Sequence, residues 1–161
     1  MTEKSMFWGG TTVGDHGPYG ADDFAEFLRC IFCMHPATEG LLRTPTGANF
    51  FYSLMGLVFG VDSGRALVHG TLYESTTQEN LTIVDPGALR YYRVVLRKSW
   101  ASKNVLLTML GPTTPGYPPL VQIAGTTWDI PLYRLSVPSG GPISLEADDR
   151  EYCEVPTRRG Y

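Results

Sequence analysis

From residue 49 onwards the chain is a succession of short apolar and β-branched runs separated by turn-forming residues, and this pattern limits the fold more than any other feature. Short runs at such spacing are typical of an antiparallel β-sandwich or barrel. The runs are residues 49–58, 65–73, 80–84, 92–98, 104–110, 128–137 and 143–145. The 18 Gly and 12 Pro among 161 residues show no collagen-like period and agree with many tight turns. We therefore predict a mainly β fold, an antiparallel β-sandwich or a barrel-like domain.

Three local patterns predict geometry within this β region. Residues 92–97 and 105–110 flank a short connector, so we expect them to form a hairpin. Gly70 lies inside the run 65–73 and marks a bulge or bend there. Residues 111–119 hold four Pro and two Gly, so we expect an irregular segment on the surface.

One amphipathic helix is predicted near the N-terminus, over about residues 22–34. Asp22 or Asp23 can cap it, and Pro36 lies just beyond its expected end. Its apolar positions recur at helical spacing and form one broad stripe; they are Phe24, Phe27, Leu28, Ile31 and Phe32. The stripe must be buried against the core sheet or against a partner helix across an oligomer axis.

The composition divides the chain into three parts. Residues 1–20 form a glycine-rich N-terminal arm that can wrap over a neighbour. Residues 21–150 form the domain built from the helix and the β-sandwich. Residues 151–161 are a polar C-terminal tail. We therefore expect a single β domain with extended terminal arms.

Charge and hydropathy exclude several functional classes. The formal net charge of −3 argues against a nucleic-acid partner. No apolar run approaches the roughly 20 residues needed to cross a membrane, and the N-terminus lacks the apolar core of a signal peptide. Residues 1–89 carry 4 basic and 10 acidic side chains, whereas residues 90–161 carry 9 and 6. If this asymmetry is spatial, it favours head-to-tail contact between copies.

Catalytic and metal-binding patterns are weak in this sequence. Cys30, Cys33 and Cys153 lack the spacing of a zinc site and are interpreted as small buried hydrophobic residues. The three histidines have no zinc-motif spacing, and a pairing of Asp15 with His16 is the only candidate for acid–base chemistry. We expect no cofactor, no metal and no enzyme activity.

Aromatic residues in or beside turns are the candidates for binding. Trp8, Trp100 and Tyr117 are expected to be partly exposed, whereas Trp128 opens a strand and is expected in the core. Exposed aromatic rings stack on sugars or anchor protein interfaces. The predicted partner-interface residues, with an Arg anchor and the helix stripe included, are Trp8, Phe24, Phe27, Trp100, Tyr117 and Arg158.

Six segments in fixed order carry a family resemblance. They lie between residues 5 and 150. In order, they are an opening S-x-F-W-x-G…G-D…Y-x-A-x-D-F-A, a strand G-x-A-x-V-x-G-x-x-Y-E, a strand R-x-x-R-V-V-L-R, a loop G-P…Y-P-P-L, a strand W-D-I-P-L-x-x-L-x-V and a closing D-x-R. The chain resembles the N-terminal attachment module of tailed-phage (siphophage-type) upper baseplate and receptor-binding tail proteins. One departure is Tyr91-Tyr92, where the family usually has an acidic residue.

The resemblance implies a non-enzymatic virion component of the tail or baseplate, made in the host cytoplasm. It implies a homo-oligomer, with a trimer favoured, that joins tail parts or anchors host-attachment fibres by binding other tail and baseplate proteins. The first alternative is a carbohydrate-binding module that recognises a host-surface glycan through Trp100 and the Tyr117 loop. The second alternative is a capsid decoration protein.

Overall fold

The structure is a computed structural model that describes residues 39–42 and 49–153. Strands make up 59% of this part, which contains no helix. The predicted helix, the N-terminal arm and most of the C-terminal tail lie outside the described residues, and with them the candidates Trp8, Phe24, Phe27 and Arg158 and the pairs Asp15–His16 and Cys30–Cys33.

Eleven strands follow one another along the described part. They are β1 (Gly40–Leu42), β2 (Tyr52–Met55), β3 (Val58–Val61), β4 (Gly64–Val68), β5 (Thr71–Ser75), β6 (Glu79–Thr82), β7 (Arg90–Ser99), β8 (Asn104–Thr113), β9 (Gln122–Ile123), β10 (Thr127–Val137) and β11 (Ser144–Asp148).

The strands form three sheets whose named pairs are all antiparallel. The largest has the order β11-β10-β7-β8, with β9 also paired to β10. The two smaller sheets have the orders β1-β4-β5 and β2-β3-β6. The prediction of a mainly β fold with antiparallel sheets is confirmed.

One hydrophobic core joins the three sheets. Val94 and Leu96 of β7 point into it, as do Phe59 of β3 and Val68 of β4, and each of them is fully buried. Tyr133 of β10 is also fully buried, and its hydroxyl donates a hydrogen bond of 2.6 Å to the carbonyl of Phe50. A buried hydroxyl needs such an acceptor, because an unpaired one costs about 1–3 kcal/mol.

Two of the predicted strand runs are in fact hairpins. The run 49–58 contains all of β2 and the start of β3, and the chain turns at Gly56, where φ is 61°. The run 65–73 splits at His69 and Gly70, whose φ angles of 44° and 74° suit the tight turn between β4 and β5. The bend expected at Gly70 is therefore a full reversal of the chain.

The β7–β8 hairpin has the predicted geometry, with Arg97 opposite Leu106 and Arg93 opposite Leu110. The prediction for residues 111–119 was wrong at two points. Residues 111–113 continue β8, with Gly111 and Pro112 at an irregularity of the β7–β8 register, where an edge strand tolerates a proline. Pro118 is buried instead of lying on the surface.

The last strand and the chain after it stay against the domain. β11 extends to Asp148, beyond the predicted run 143–145. The amide of Leu41 in β1 donates to the carbonyl of Glu151 (2.7 Å), and the amide of Cys153 donates to the carbonyl of Leu41 (2.9 Å). Cys153 is buried, and its thiol donates to the carbonyl of Gly40 at 3.4 Å.

Candidate interaction surface

The two described aromatic candidates lie at opposite ends of β7. Tyr117 packs edge-on against Tyr91, with ring centroids 5.1 Å apart, whereas Trp100 directly follows the other end of the strand. A strand rises about 3.3 Å per residue, so Tyr91 and Trp100 lie about 30 Å apart. The structure therefore does not bring Trp100 and Tyr117 together in one binding site.

Trp100 belongs to a cluster around the β4–β5 turn. The His69 ring lies edge-on to Trp100 at 5.1 Å and to Trp128 at 4.7 Å between centroids. The Lys98 ammonium donates to the His69 carbonyl at 3.0 Å and lies 4.3 Å from the centre of the Trp100 ring. Trp128 packs against the core, while Trp100 stays half-buried and available for contact.

Side chains alternate along β7, so Tyr91, Arg93, Val95 and Arg97 share one face, which we call the outer face. It points away from the core, which takes up the intervening residues. Val95 is nevertheless fully buried, so something covers it. The segment 114–121 lies over part of this face, because its Tyr117 contacts Tyr91 near one end.

Asp129 anchors the other end of this covering segment. Its carboxylate is fully buried and accepts hydrogen bonds from Arg97 Nε (2.7 Å) and Arg97 Nη2 (2.9 Å). It also accepts one from the amide of Val121 at 2.9 Å, and Gln122 donates to the Asp129 carbonyl at 3.0 Å. The bond to Asp129 raises the pKa of Arg97 above its usual value. This network holds the proline-rich segment against the sheet.

Arg134 on β10 makes a second two-pronged ion pair on the outer face. Its Nε and Nη2 lie 2.8 and 2.9 Å from the carboxylate of Asp149, and these bonds raise the pKa of Arg134. The Arg134 guanidinium also lies 5.3 Å from the centre of the Tyr117 ring. The Tyr117 ring therefore lies between Tyr91 and the Arg134 guanidinium, which is already paired with Asp149.

Arg93 has no such carboxylate partner in the part of the chain that the structure describes. It lies on β7 between Arg134 of β10 and Leu110 of β8, and the positive charge of Arg134 is matched by Asp149. The half-buried Arg93 makes no ion pair with any residue that the structure describes, and its Nε atom is buried without a hydrogen-bond partner there. A buried donor without a partner is costly, so this position favours an added anionic group.

Two sheet edges expose apolar side chains. β8 is the last strand of the five-stranded sheet, contains no charged residue and leaves Leu106 56% exposed. β2 is the outer strand of its sheet, and the exposed apolar residues in and beside it are Phe51, Tyr52, Leu54 and Met55. Strand edges of this kind pair readily with other chains.

Arg150 fastens the segment before β2 to the large sheet. It makes a two-pronged ion pair with Asp148, and its Nη1 donates to the carbonyl of Asn49 at 2.7 Å. Its guanidinium lies 5.0 Å from the centre of the Phe51 ring and 5.2 Å from that of Tyr133. The closing D-x-R segment of the resemblance therefore has a structural role in the described part.

The described part also contains two open clefts. One, of about 160 Å³, has Glu39, Glu151, Gln122 and Trp128 among its lining residues. The other, of about 500 Å³, lies beside the exposed Val84 and includes Arg90. Neither lining includes a Ser, His, Cys or Lys side chain, and no metal-holding group of three His, Cys, Asp or Glu occurs within residues 39–42 and 49–153.

Sequence patterns did not single out Arg93 or the difference between the sheet edges. The only available signal was the contrast between the uncharged run 104–110 and the basic strand before it. No helix in the described ranges has the length and hydropathy to span a membrane. Comparison with protein-family models, curated proteins and solved structures found no match to this chain.

Proposed function

We propose that this chain is a non-enzymatic structural module that assembles with copies of itself. The observation that supports this best is the ten-residue edge strand β8, which has no charge and leaves Leu106 exposed. Monomeric proteins usually protect such edges with charged residues, prolines or a covering element. Within the described residues, the stretch 104–110 of this edge has no charged residue, no proline and no strand paired on its outer side, which suits an edge that another molecule covers.

The setting we propose is a phage tail or baseplate, with the chain as an adaptor that joins tail parts or anchors host-attachment fibres. Support comes from the six ordered segments of the sequence resemblance. The proposed partners are further copies, in a trimer by the same resemblance, and other tail or baseplate proteins within the virion.

We infer that the sheets pack as a sandwich around the common core. The five-stranded sheet supplies one layer, and the two three-stranded sheets supply the other. Core residues from all three sheets, among them Leu135, Phe59 and Val68, support this arrangement. A sandwich leaves strand edges at its sides, where neighbouring molecules can reach them.

Two measurements test the proposal. Light scattering after size exclusion should give the mass of a defined oligomer for the purified chain. Gold-labelled antibodies against the chain should bind the tail end of phage particles that are produced by a host cell carrying the phage genes. A monomer together with unlabelled particles would refute the proposal, and label on the heads would favour a capsid decoration protein instead.

Carbohydrate binding is a second proposal, confined to the Trp100 end of the molecule. The half-buried Trp100 ring, held by Lys98 and His69, is favourable for stacking on a sugar. A glycan array with the wild-type protein, and with Trp100→Ala and Tyr117→Ala as a matched pair, tests this. Binding that Trp100→Ala abolishes and Tyr117→Ala retains is expected; absence of any signal would refute it.

A further inference from the structure

The larger of the two clefts, of about 500 Å³, lies where β8 departs from regular pairing with β7. The register shifts between Tyr91 and Arg93, so that Tyr92 has no partner on β8. Gly111 and Pro112, in the irregular stretch of β8, line the cleft. A Cβ atom on Gly111 would lie 2.8 Å from the carbonyl oxygen of Tyr91, so only glycine allows this close approach. Bulges of this kind are common at sheet edges and beside active sites.

Two polar side chains of this cleft have unused hydrogen-bond donors. Arg90 and Tyr92 lie on the face of β7 opposite to the outer face, because side chains alternate along a strand. The half-buried Arg90 makes no ion pair with any described residue. Tyr92 is only 5% exposed, and its hydroxyl makes no hydrogen bond with the described part of the chain. Burial raises the pKa of Tyr92 and the positive charge of Arg90 acts against this rise, which places the two groups near each other.

The charge of Arg90 is not balanced within the cleft. Arg90 is the one charged side chain among the described residues that line it. Asp85 is close in sequence but does not belong to the lining, and its carboxylate accepts hydrogen bonds from the amides of Gly87 (3.0 Å) and Gly140 (3.2 Å). The cleft is therefore a place where an anion is favoured.

Most of the remaining lining is apolar. The apolar side chains that line the cleft belong to Ile83, Val84, Pro86, Met109 and Pro112. Val84 is 84% exposed, so an apolar ligand group can reach it from solvent. Apolar walls with a few polar groups, in a volume of about 300–1,000 Å³, are typical of sites for small ligands. One cation beside one hydroxyl donor matches a singly charged group with two acceptor oxygens, which is a carboxylate.

We propose that this cleft binds a carboxylic acid with an apolar body. Its carboxylate lies between the Arg90 guanidinium and the Tyr92 hydroxyl, and its apolar part lies against Val84 and Met109. A free carboxylic acid and the C-terminal end of a polypeptide both have this chemistry. The site does not depend on the self-assembly proposed above, so the two proposals stand or fall separately.

Two acids and their primary amides test the ligand class on the wild-type chain. The acids are 3-phenylpropionate, which represents a free acid, and N-acetylphenylalanine, which represents a polypeptide end. In titrations followed by nitrogen-15 NMR, both acids should shift the backbone amide signals of Val84 and Met109, and the tighter one identifies the source. Each primary amide should bind at least about tenfold more weakly, because it lacks the charge that pairs with Arg90. No shift at millimolar acid, or equal affinity for acid and amide, would refute the proposal.

Substitutions on the two faces of β7 test the location of the site. Arg90→Gln should weaken binding of the acid about tenfold and leave binding of the amide unchanged. Tyr92→Phe removes only the hydroxyl and should weaken the acid about threefold. Arg93→Gln and Tyr91→Phe remove the same atoms from the outer face and are the matched controls, which should bind like the wild type. Circular dichroism verifies the fold of each variant. Equal losses in the controls would show that the acid binds elsewhere and would overturn the assignment.

Discussion

Arginine side chains that combine ion pairs, hydrogen bonds and contacts with aromatic rings stabilise the described part of this molecule. Arg150 is the clearest case, because its side chain is 10% exposed and it joins a carboxylate, a backbone carbonyl and two aromatic faces. A planar guanidinium can make all these contacts at once, which a lysine ammonium cannot. Arg93 is the contrasting residue, since it has the same side chain but no ion-pair partner among the described residues.

Replacing Arg150 by lysine should therefore destabilise the fold. We expect Arg150→Lys to lower the free energy of unfolding by about 2 kcal/mol, because hydrogen bonds to a charged group are lost. Chemical denaturation measures the change. Arg65→Lys is the control, since Arg65 pairs with Glu74 on the surface at 53% and 42% exposure and should change stability by less than about 0.5 kcal/mol. Equal effects of the two substitutions would contradict the role given to Arg150.

The ion pair between Arg150 and Asp148 predicts that the stability of the fold depends on pH. Hydrogen bonds from Arg150 lower the pKa of Asp148 below its usual 3.8. A carboxyl whose pKa is depressed on folding stabilises the protein above its unfolded pKa, and this stability is lost as the pH falls through the folded pKa. Stability should thus decrease below about pH 4, and Asp148→Asn should flatten that decrease. Thermal melts of the wild type and of Asp148→Asn between neutral and acidic pH measure this decrease in stability. Identical slopes of stability against pH in the two proteins would count against the prediction.

Among the elements, the proline-rich segment 114–121 shows how an irregular stretch is fixed to a regular sheet. It lies over the outer face because Tyr117 packs on Tyr91 and because the Val121 amide donates to Asp129. The carboxylate of Asp129 is fully buried, so its bonds to Arg97 are protected from water.

Removal of this carboxylate should release the segment. Asp129→Ala leaves the half-buried Arg97 guanidinium without its carboxylate partner. We expect the free energy of unfolding to fall by about 3 kcal/mol. Hydrogen exchange at the Val121 amide should become faster than in the wild type. Asp149→Asn, which removes the pair with Arg134 instead, should leave that amide protected. Unchanged protection in Asp129→Ala would show that other contacts hold the segment.

The sequence allowed some of these elements to be predicted. The hairpin of β7 and β8 was predictable because turn residues separate two apolar runs of matching length. The hairpins at residues 52–61 and 64–75 were missed because their turns, at Gly56 and at His69-Gly70, lie inside continuous apolar runs. The exposure of Trp100 and Tyr117 could be inferred from nearby turns, but their separation depends on strand register. The unmatched state of Arg93 depends on three neighbouring strands, which no local pattern contains.

At the scale of the whole molecule, the two outer strands of the five-stranded sheet differ in charge, since β8 has no charged residue and β11 has Glu146 and Asp148. β8, the uncharged outer strand of the five-stranded sheet, is the edge through which we propose that copies of the chain assemble. We therefore expect assembly to be a property of the purified chain.

Sedimentation velocity of the purified chain over a wide range of concentrations tests this claim most directly. We predict a discrete species heavier than the 17.8 kDa chain, which dissociates on dilution and does so at higher concentration in Leu106→Lys. A single boundary at the monomer mass at every concentration, for the wild type as for the variant, would contradict it.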